Sequence, residues 1–274
     1  MYMKVSPTRV FFATILKELR ISFRYRANLI GAFYQTMLMV FAFYIFGNAI
    51  SFRTLDMVQG TARASSVFLF FISGILLVIM IDIALWMPLN SVNNDLYNGT
   101  LEYLYSTPFS RFSYFSGTIV ASAFLRMIFL APVMVGIVFF GELTNEIWAL
   151  LLVVLVTTVS LIGVGIIIAL SAILWKETSG IVQILGMLFQ FIAGAFIPVQ
   201  SFPIWLKWIA FLFPQTFAFD LSRHYTFRGN WPTLLPVFWE WTILVLSIPF
   251  YFFLSLKLLQ RVEKHARNQG LHLI

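Results

Sequence analysis

Cysteine is absent from the chain. No disulfide framework, thiolate metal site or cysteine nucleophile can be built from it, and the absence fixes no redox compartment. Charge is scarce too. Asp, Glu, Lys and Arg make up 11% of residues, against about 25% in a soluble domain. A chain so poor in charge cannot clothe itself in a water-facing surface, and the bilayer is its natural solvent. Histidine occurs only at 224, 265 and 272, with no metal-binding spacing. The sequence has no G-x-x-x-x-G-K-[ST] loop, so ATP is not bound here in the P-loop manner. H-E-x-x-H, G-x-S-x-G and G-x-G-x-x-G are missing as well. The few carboxylates lie scattered, and no enzyme active site is visible. No short apolar core followed by a small-residue cleavage site opens the chain, so a cleaved signal peptide is not expected.

What is present is apolar: 60% of residues are hydrophobic, including 31 Phe. Six runs, at 28–50, 66–88, 114–140, 147–174, 181–199 and 236–258, meet or approach the ~20 residues that cross a bilayer as a helix. Backbone groups in lipid must bond internally, which predicts helices. A transmembrane barrel would need short alternating segments instead. Before these runs, Phe12, Ile15, Leu19 and Phe23 recur at helical spacing, with Lys17, Arg20 and Arg24 on another side. That predicts a basic amphipathic helix over 7–27, lying in the membrane surface. A solvated basic tail is the plainer alternative.

The net charge of +7 does not point to nucleic acid, because the basic residues form no face of a soluble domain. They record orientation instead. With the N-terminus inside, the inner segments carry 12 Lys and Arg and the outer ones 5, with Arg223 among the outer five. Six spans then bring both termini to the cytoplasm. The acid-only loop at 142–146 agrees with an outer position. Asn98-Gly99-Thr100 fits a glycosylation acceptor but falls on the inner side.

Three places break the apolar pattern. Asp82 and Arg126 lie at membrane depth, where charges are costly and usually paired or facing water. They are expected to pair; contact with a substrate and no contact at all remain the alternatives. Pro132 and Pro249 can kink their helices, while Gly163 and Gly165 allow close helix approach. Pro198, Pro203 and Pro214 cut 194–230 into pieces too short to span. Trp205 and Trp208 flank Lys207 there, a composition suited to the membrane–water boundary. The expected structure is a set of short helices, chiefly over 200–230, that dip into the outer leaflet and return. An ordinary surface loop with aromatic anchors is the alternative. The last break, 93–108, is a polar island of about one interfacial helix between two apolar runs.

The chain resembles the permease subunits of type-2 ABC exporters. Gly99-Thr100-Leu101-Glu102, with Leu104 and then Thr107-Pro108, is similar to the family's G-T-L-E-x-L-x-x-T-P signature after the second span. Gly194-Ala195-Phe196-Ile197-Pro198, Phe202-Pro203-Ile204-Trp205-Leu206, Phe213-Pro214 and Arg223 resemble its pattern before the last span. The family often carries a denser Glu and Arg cluster before G-T-L-E, where this chain has only Asp95. The resemblance implies an all-α fold of six transmembrane helices and a subunit that is not itself catalytic. Two permeases would pair as a homo- or heterodimer, each docked on a separate nucleotide-binding subunit that holds ATP and Mg. The 93–108 segment would be the coupling helix, with Asp95, Gly99, Thr100, Leu101, Glu102, Thr107 and Pro108 facing the ATPase. The amphipathic helix would add to that contact, and 194–230 would close the outer mouth. The N-terminal region looks more like drug and lipid exporters than polysaccharide exporters, so the cargo implied is lipid-like, drug-like or a glycoconjugate. A secondary transporter or channel working alone, or a scaffold that transports nothing, are the competing classes. A solitary carrier predicts broken spans at the midplane and internal repeats.

Overall fold

The computed structural model describes residues 6–49, 64–97, 99, 110–141, 146–174 and 179–269. Among them the regular structure is helical, with no strand. Helix α1 covers Pro7–Arg24 and α2 covers Arg26–Ala49. Pro7 opens α1 at a position whose N–H has no helical partner anyway. Tyr25 breaks the chain between the two helices, which bend by 81°. The amphipathic helix therefore ends at 24 rather than 27, and the first apolar run leaves it at close to a right angle.

Helix α3, Ala64–Tyr97, contains the second run and continues into the polar island. The third run is not one helix. It divides at Leu130 into α4, Arg111–Phe129, and α5, Ala131–Gly141, with Pro132 in the first turn of α5. The fourth run is α6, Glu146–Leu174. The fifth run is the second departure: α7, Ser179–Ile192, stops after 14 residues. A 3-10 turn at Val199–Ser201 and the short helices α8, Ile204–Phe211, and α9, Pro214–Thr226, follow. The sixth run lies in α10, Val237–Gln269, which continues through Pro249 without a break. Three helices are long and apolar enough to cross a membrane, over Val67–Ser91, Glu146–Ser171 and Val237–Arg261, or four if α1 and α2 make one broken span. Of the six full spans expected, three are single helices; the third run is interrupted, the fifth is short, and the first counts only with α1 as a bent pair.

Helix α3 is the hub. Its spanning window is 89% buried, against 50% for α6 and 22% for α10. It packs on α2, α4, α5, α6, α7 and α9, while α6 packs on α3 and α10. The expected close approaches at glycine occur on α6. A Cβ on Gly163 would stand 2.7 Å from the Tyr251 Cβ of α10, and one on Gly165 2.6 Å from the Ala84 carbonyl of α3. Small residues let membrane helices meet backbone to backbone. Hydroxyls within the helices are satisfied locally: Thr157 donates to the Val153 carbonyl at 2.7 Å and Ser171 to Ile167 at 2.8 Å. Ser160 and Ser247 bond across the α6–α10 seam at 2.6 Å.

Candidate functional site

Two regions stand at opposite ends of α3. One is the polar end at Asp95; the other is the proline-rich segment packed near Ser73. The 24 residue steps from Ser73 to Tyr97 separate them by about 36 Å of helix.

At the polar end, Asp95 sits in the last turn of α3. Gly99 is exposed with φ +66, and a Cβ there would meet nothing within 4 Å. Only the left-handed backbone asks for glycine at this turn. Thr100, Leu101, Glu102, Thr107 and Pro108 lie outside the described residues. Helix α1 packs on α4, one of the two arms that flank 98–109, and is linked to the other, α3, through Tyr114. Its one buried residue, Thr14, faces Gly117 of α4, where a Cβ would come within 2.9 Å of the Thr14 Cβ. Lys17 donates to the Tyr114 hydroxyl of α4 at 3.4 Å, and that hydroxyl bonds Ser91 of α3 at 3.0 Å. Lys17, though exposed like Arg20 and Arg24, is thus tied to this junction by its bond to Tyr114.

At membrane depth, Asp82 accepts a hydrogen bond from Gln190 Nε2 of α7 at 2.7 Å. This partner was not anticipated, because a neutral amide leaves no mark in a hydropathy pattern. Arg126 falls in α4; its side chain lies outside what is described, and so does the expected pairing with Asp82.

The proline-rich segment is the better-built site. Each proline begins a piece: Pro198 precedes the 3-10 turn, Pro203 stands extended before α8, and Pro214 opens α9. On α8 and its C-cap, Ile204, Trp205, Trp208, Ile209 and Leu212 are exposed along one stripe. Helix α9 is the opposite case, buried over most of its length.

Helix α7 ends in a left-handed cap. Gly194 has φ +88, the Ala195 N–H donates to the Gln190 carbonyl at 3.0 Å, and the Gly194 N–H donates to Phe191 at 3.1 Å. That is the Schellman pattern. A Cβ at Gly194 would also strike Val199 at 2.5 Å. The next two carbonyls of this buried corner are taken by Arg223, whose Nη2 donates to Gly194 O at 2.6 Å and to Ala195 O at 3.0 Å. The guanidinium lies 3.9 Å from the Phe70 ring centre, with Trp231 and Phe219 at 5.7 and 5.9 Å. Arg223, counted among the outer bases, is 1% exposed and lies inside the protein. Burial pushes its pKa down to about 9, with the Asp220 charge opposing, and it remains cationic at pH 7.

One turn earlier, Asp220 organises the rest. It accepts from Trp231 Nε1 at 2.7 Å, Gln200 Nε2 at 3.1 Å and the Leu234 N–H at 2.6 Å. Gln200 also donates to the Pro232 carbonyl at 2.7 Å. Buried Glu240, in the first turn of α10, accepts from the Leu235 N–H at 3.0 Å. Ser222 ties α9 to the Ser73 carbonyl of α3 at 3.0 Å. Of this network the sequence reading reached only Arg223. The available signal for Asp220 was an acid in a stretch crowded with Phe and Trp, where a charge needs partners.

Several apolar helices around a buried hub, with a polar lock at one end, define a multi-pass membrane protein. A family model described as ABC-2 family transporter protein matches residues 48–257. The chain belongs to that family and is of its type-2 ABC permease kind. The match takes in α3 to α9 and most of α10 and leaves out α1. No curated protein matches the chain.

Proposed function

We propose that the chain is the membrane subunit of an ATP-driven exporter, powered by a separate nucleotide-binding subunit. Its orientation is the one that the basic residues favour, with both termini in the cytoplasm of a cell or inner membrane. The 93–108 segment receives force from the ATPase, and the proline-rich segment closes the outer mouth. Two permeases, identical or not, form the pathway. The cargo is lipid-like, drug-like or a glycoconjugate; ATP and Mg stay on the partner.

One observation carries the mechanism. The most buried helix, α3, stays one helix through Pro88, from the Ser73 contact with α9 to Asp95 at the polar end. A helix continuous across the bundle transmits displacement as a rigid body. Closure of an ATPase pair against 93–108 would thus reach the segment held by Arg223.

Co-purification is the direct test. The chain should bring down a P-loop ATPase whose turnover depends on it, and reconstituted vesicles should export only with both. A Tyr103→Cys chain should cross-link to that ATPase, and Glu102→Ala should uncouple hydrolysis from transport. An absent cross-link together with a silent Glu102→Ala would remove the force-receiving role. A carrier acting alone is the second reading, favoured by the interrupted third run and the short α7. Transport without any ATPase would establish it and defeat the first.

A further inference from the structure

Helix α7 stops where a membrane helix has no ready way to stop. Its 14 residues reach about 21 Å, short of a ~30 Å hydrocarbon core. Irregular backbone at such depth persists only where protein or water satisfies its polar groups. The glycine cap at 194 satisfies the Gln190 and Phe191 carbonyls. It does nothing for the carbonyls of Gly194 and Ala195 themselves.

Arg223 supplies both missing bonds from α9, 29 and 28 residues further along the chain. A cation at this place also meets the negative end of the α7 dipole. The guanidinium is backed by Phe70 of α3. The Ala195 carbonyl lies against α3 as well, since a Cβ on Gly74 would approach it to 2.9 Å. One side chain therefore holds three elements at one corner. Asp220 accepts from Gln200, Trp231 and Leu234, and the hydrogen bonds of Arg223 go to the two carbonyls.

We propose that Arg223 is a positioning residue that pins the broken end of α7 to α9 and α3 and thereby keeps that end of the bundle closed to water. Calling the closed end an outer gate rests on the exporter reading; the pin does not.

The chain has no native cysteine, so single thiols report cleanly. In membranes holding the full chain, Ala195→Cys should react slowly with a membrane-impermeant maleimide. Arg223→Met in that background should speed labelling at least about tenfold, the population shift expected from losing one charged hydrogen bond. Arg223→Lys, which keeps the cation but not the fork, should fall between. Gly74→Ala, pressing on the Ala195 carbonyl from α3, should also speed labelling with Arg223 intact. Ser160→Cys, in the α6–α10 seam, should stay protected in every background.

Equal labelling at 195 with and without Arg223 overturns the pin. Parallel exposure at 160 and 195 overturns it too, since Arg223 would then hold the whole fold rather than one corner. If the Met variant fails to reach the membrane, the Lys and Gly74→Ala chains decide alone, and parental labelling rates in both defeat the proposal. Export is read separately, in vesicles with the ATPase. Faster labelling in the Arg223 variants, with no ATP-dependent export by the parent, leaves the pin standing and removes the exporter reading.

Discussion

Asp220 shows how a carboxylate survives inside an apolar bundle. Its two oxygens receive an indole N–H, an amide N–H and a backbone N–H, so the charge lost from water is met by fixed donors. Asp220→Ala would strand the Trp231 and Leu234 donors, while Gln200 keeps its bond to the Pro232 carbonyl. Each unsatisfied buried group costs ~1–3 kcal/mol, so the loss should be several kcal/mol and visible as a large fall in the thermal midpoint of the purified protein. Asp220→Asn can still accept at one oxygen and forfeits chiefly the Leu234 bond, so its fall should be clearly smaller. Equal losses would mean that the network is not the source of stability. The glycines divide on the same scale. Gly163→Ala puts a methyl 2.7 Å from the Tyr251 Cβ and 2.8 Å from its carbonyl carbon, so backbone must shift, at a cost of ~1–3 kcal/mol. Gly31→Ala meets nothing within 4 Å and lies within α2, where replacing glycine should gain up to about 1 kcal/mol. Thermal midpoints moving in opposite directions are the expected outcome.

Among the elements, α1 makes the most specific claim. It packs on α4 through Thr14 and Gly117 and reaches α3 through Tyr114 and Ser91. Gly117→Val should wedge α1 away, and Tyr114→Phe should remove the shared hydroxyl at a cost near 1 kcal/mol. Limited trypsin digestion of sealed, inside-out membranes should then cut faster at Arg20 and Arg24, most in the Gly117 variant. Unchanged cutting would mean that other contacts seat α1. The helices themselves were legible because length and continuous apolarity decide them, and the 3.6-residue recurrence of Phe12, Ile15, Leu19 and Phe23 gave α1. The end of α7 was not legible from apolarity, which runs on to 199. A left-handed Gly194 and a side chain 29 residues away end it instead. In the same way, the burial of Arg223 was not legible, because composition cannot tell a solvated guanidinium from one held between Phe70 and two carbonyls. Gln190 was invisible as the partner of Asp82 for want of charge.

At the scale of the whole molecule, the candidate function depends on stiffness between two distant ends. Sequence alone marked both ends, as a polar island and a proline-rich stretch, but could not show that a single buried helix joins them. Asn93 and Asn94 lie in α3 near its polar end, about 30 Å from Ser73 along the helix. Replacing both with glycine softens that stretch by ~1 kcal/mol per residue relative to alanine. It leaves the Arg223 corner untouched. In the proposed exporter this should lower transport per ATP hydrolysed, while the ATPase still binds and turns over. Replacing both with alanine removes the same side chains yet keeps the helix stiff, so it should restore the ratio. The measurement is paired: hydrolysis and cargo export in the same vesicles. A defect equal in both variants would assign the effect to lost asparagine contacts with the ATPase. Normal export by the glycine pair would show that force does not travel along α3.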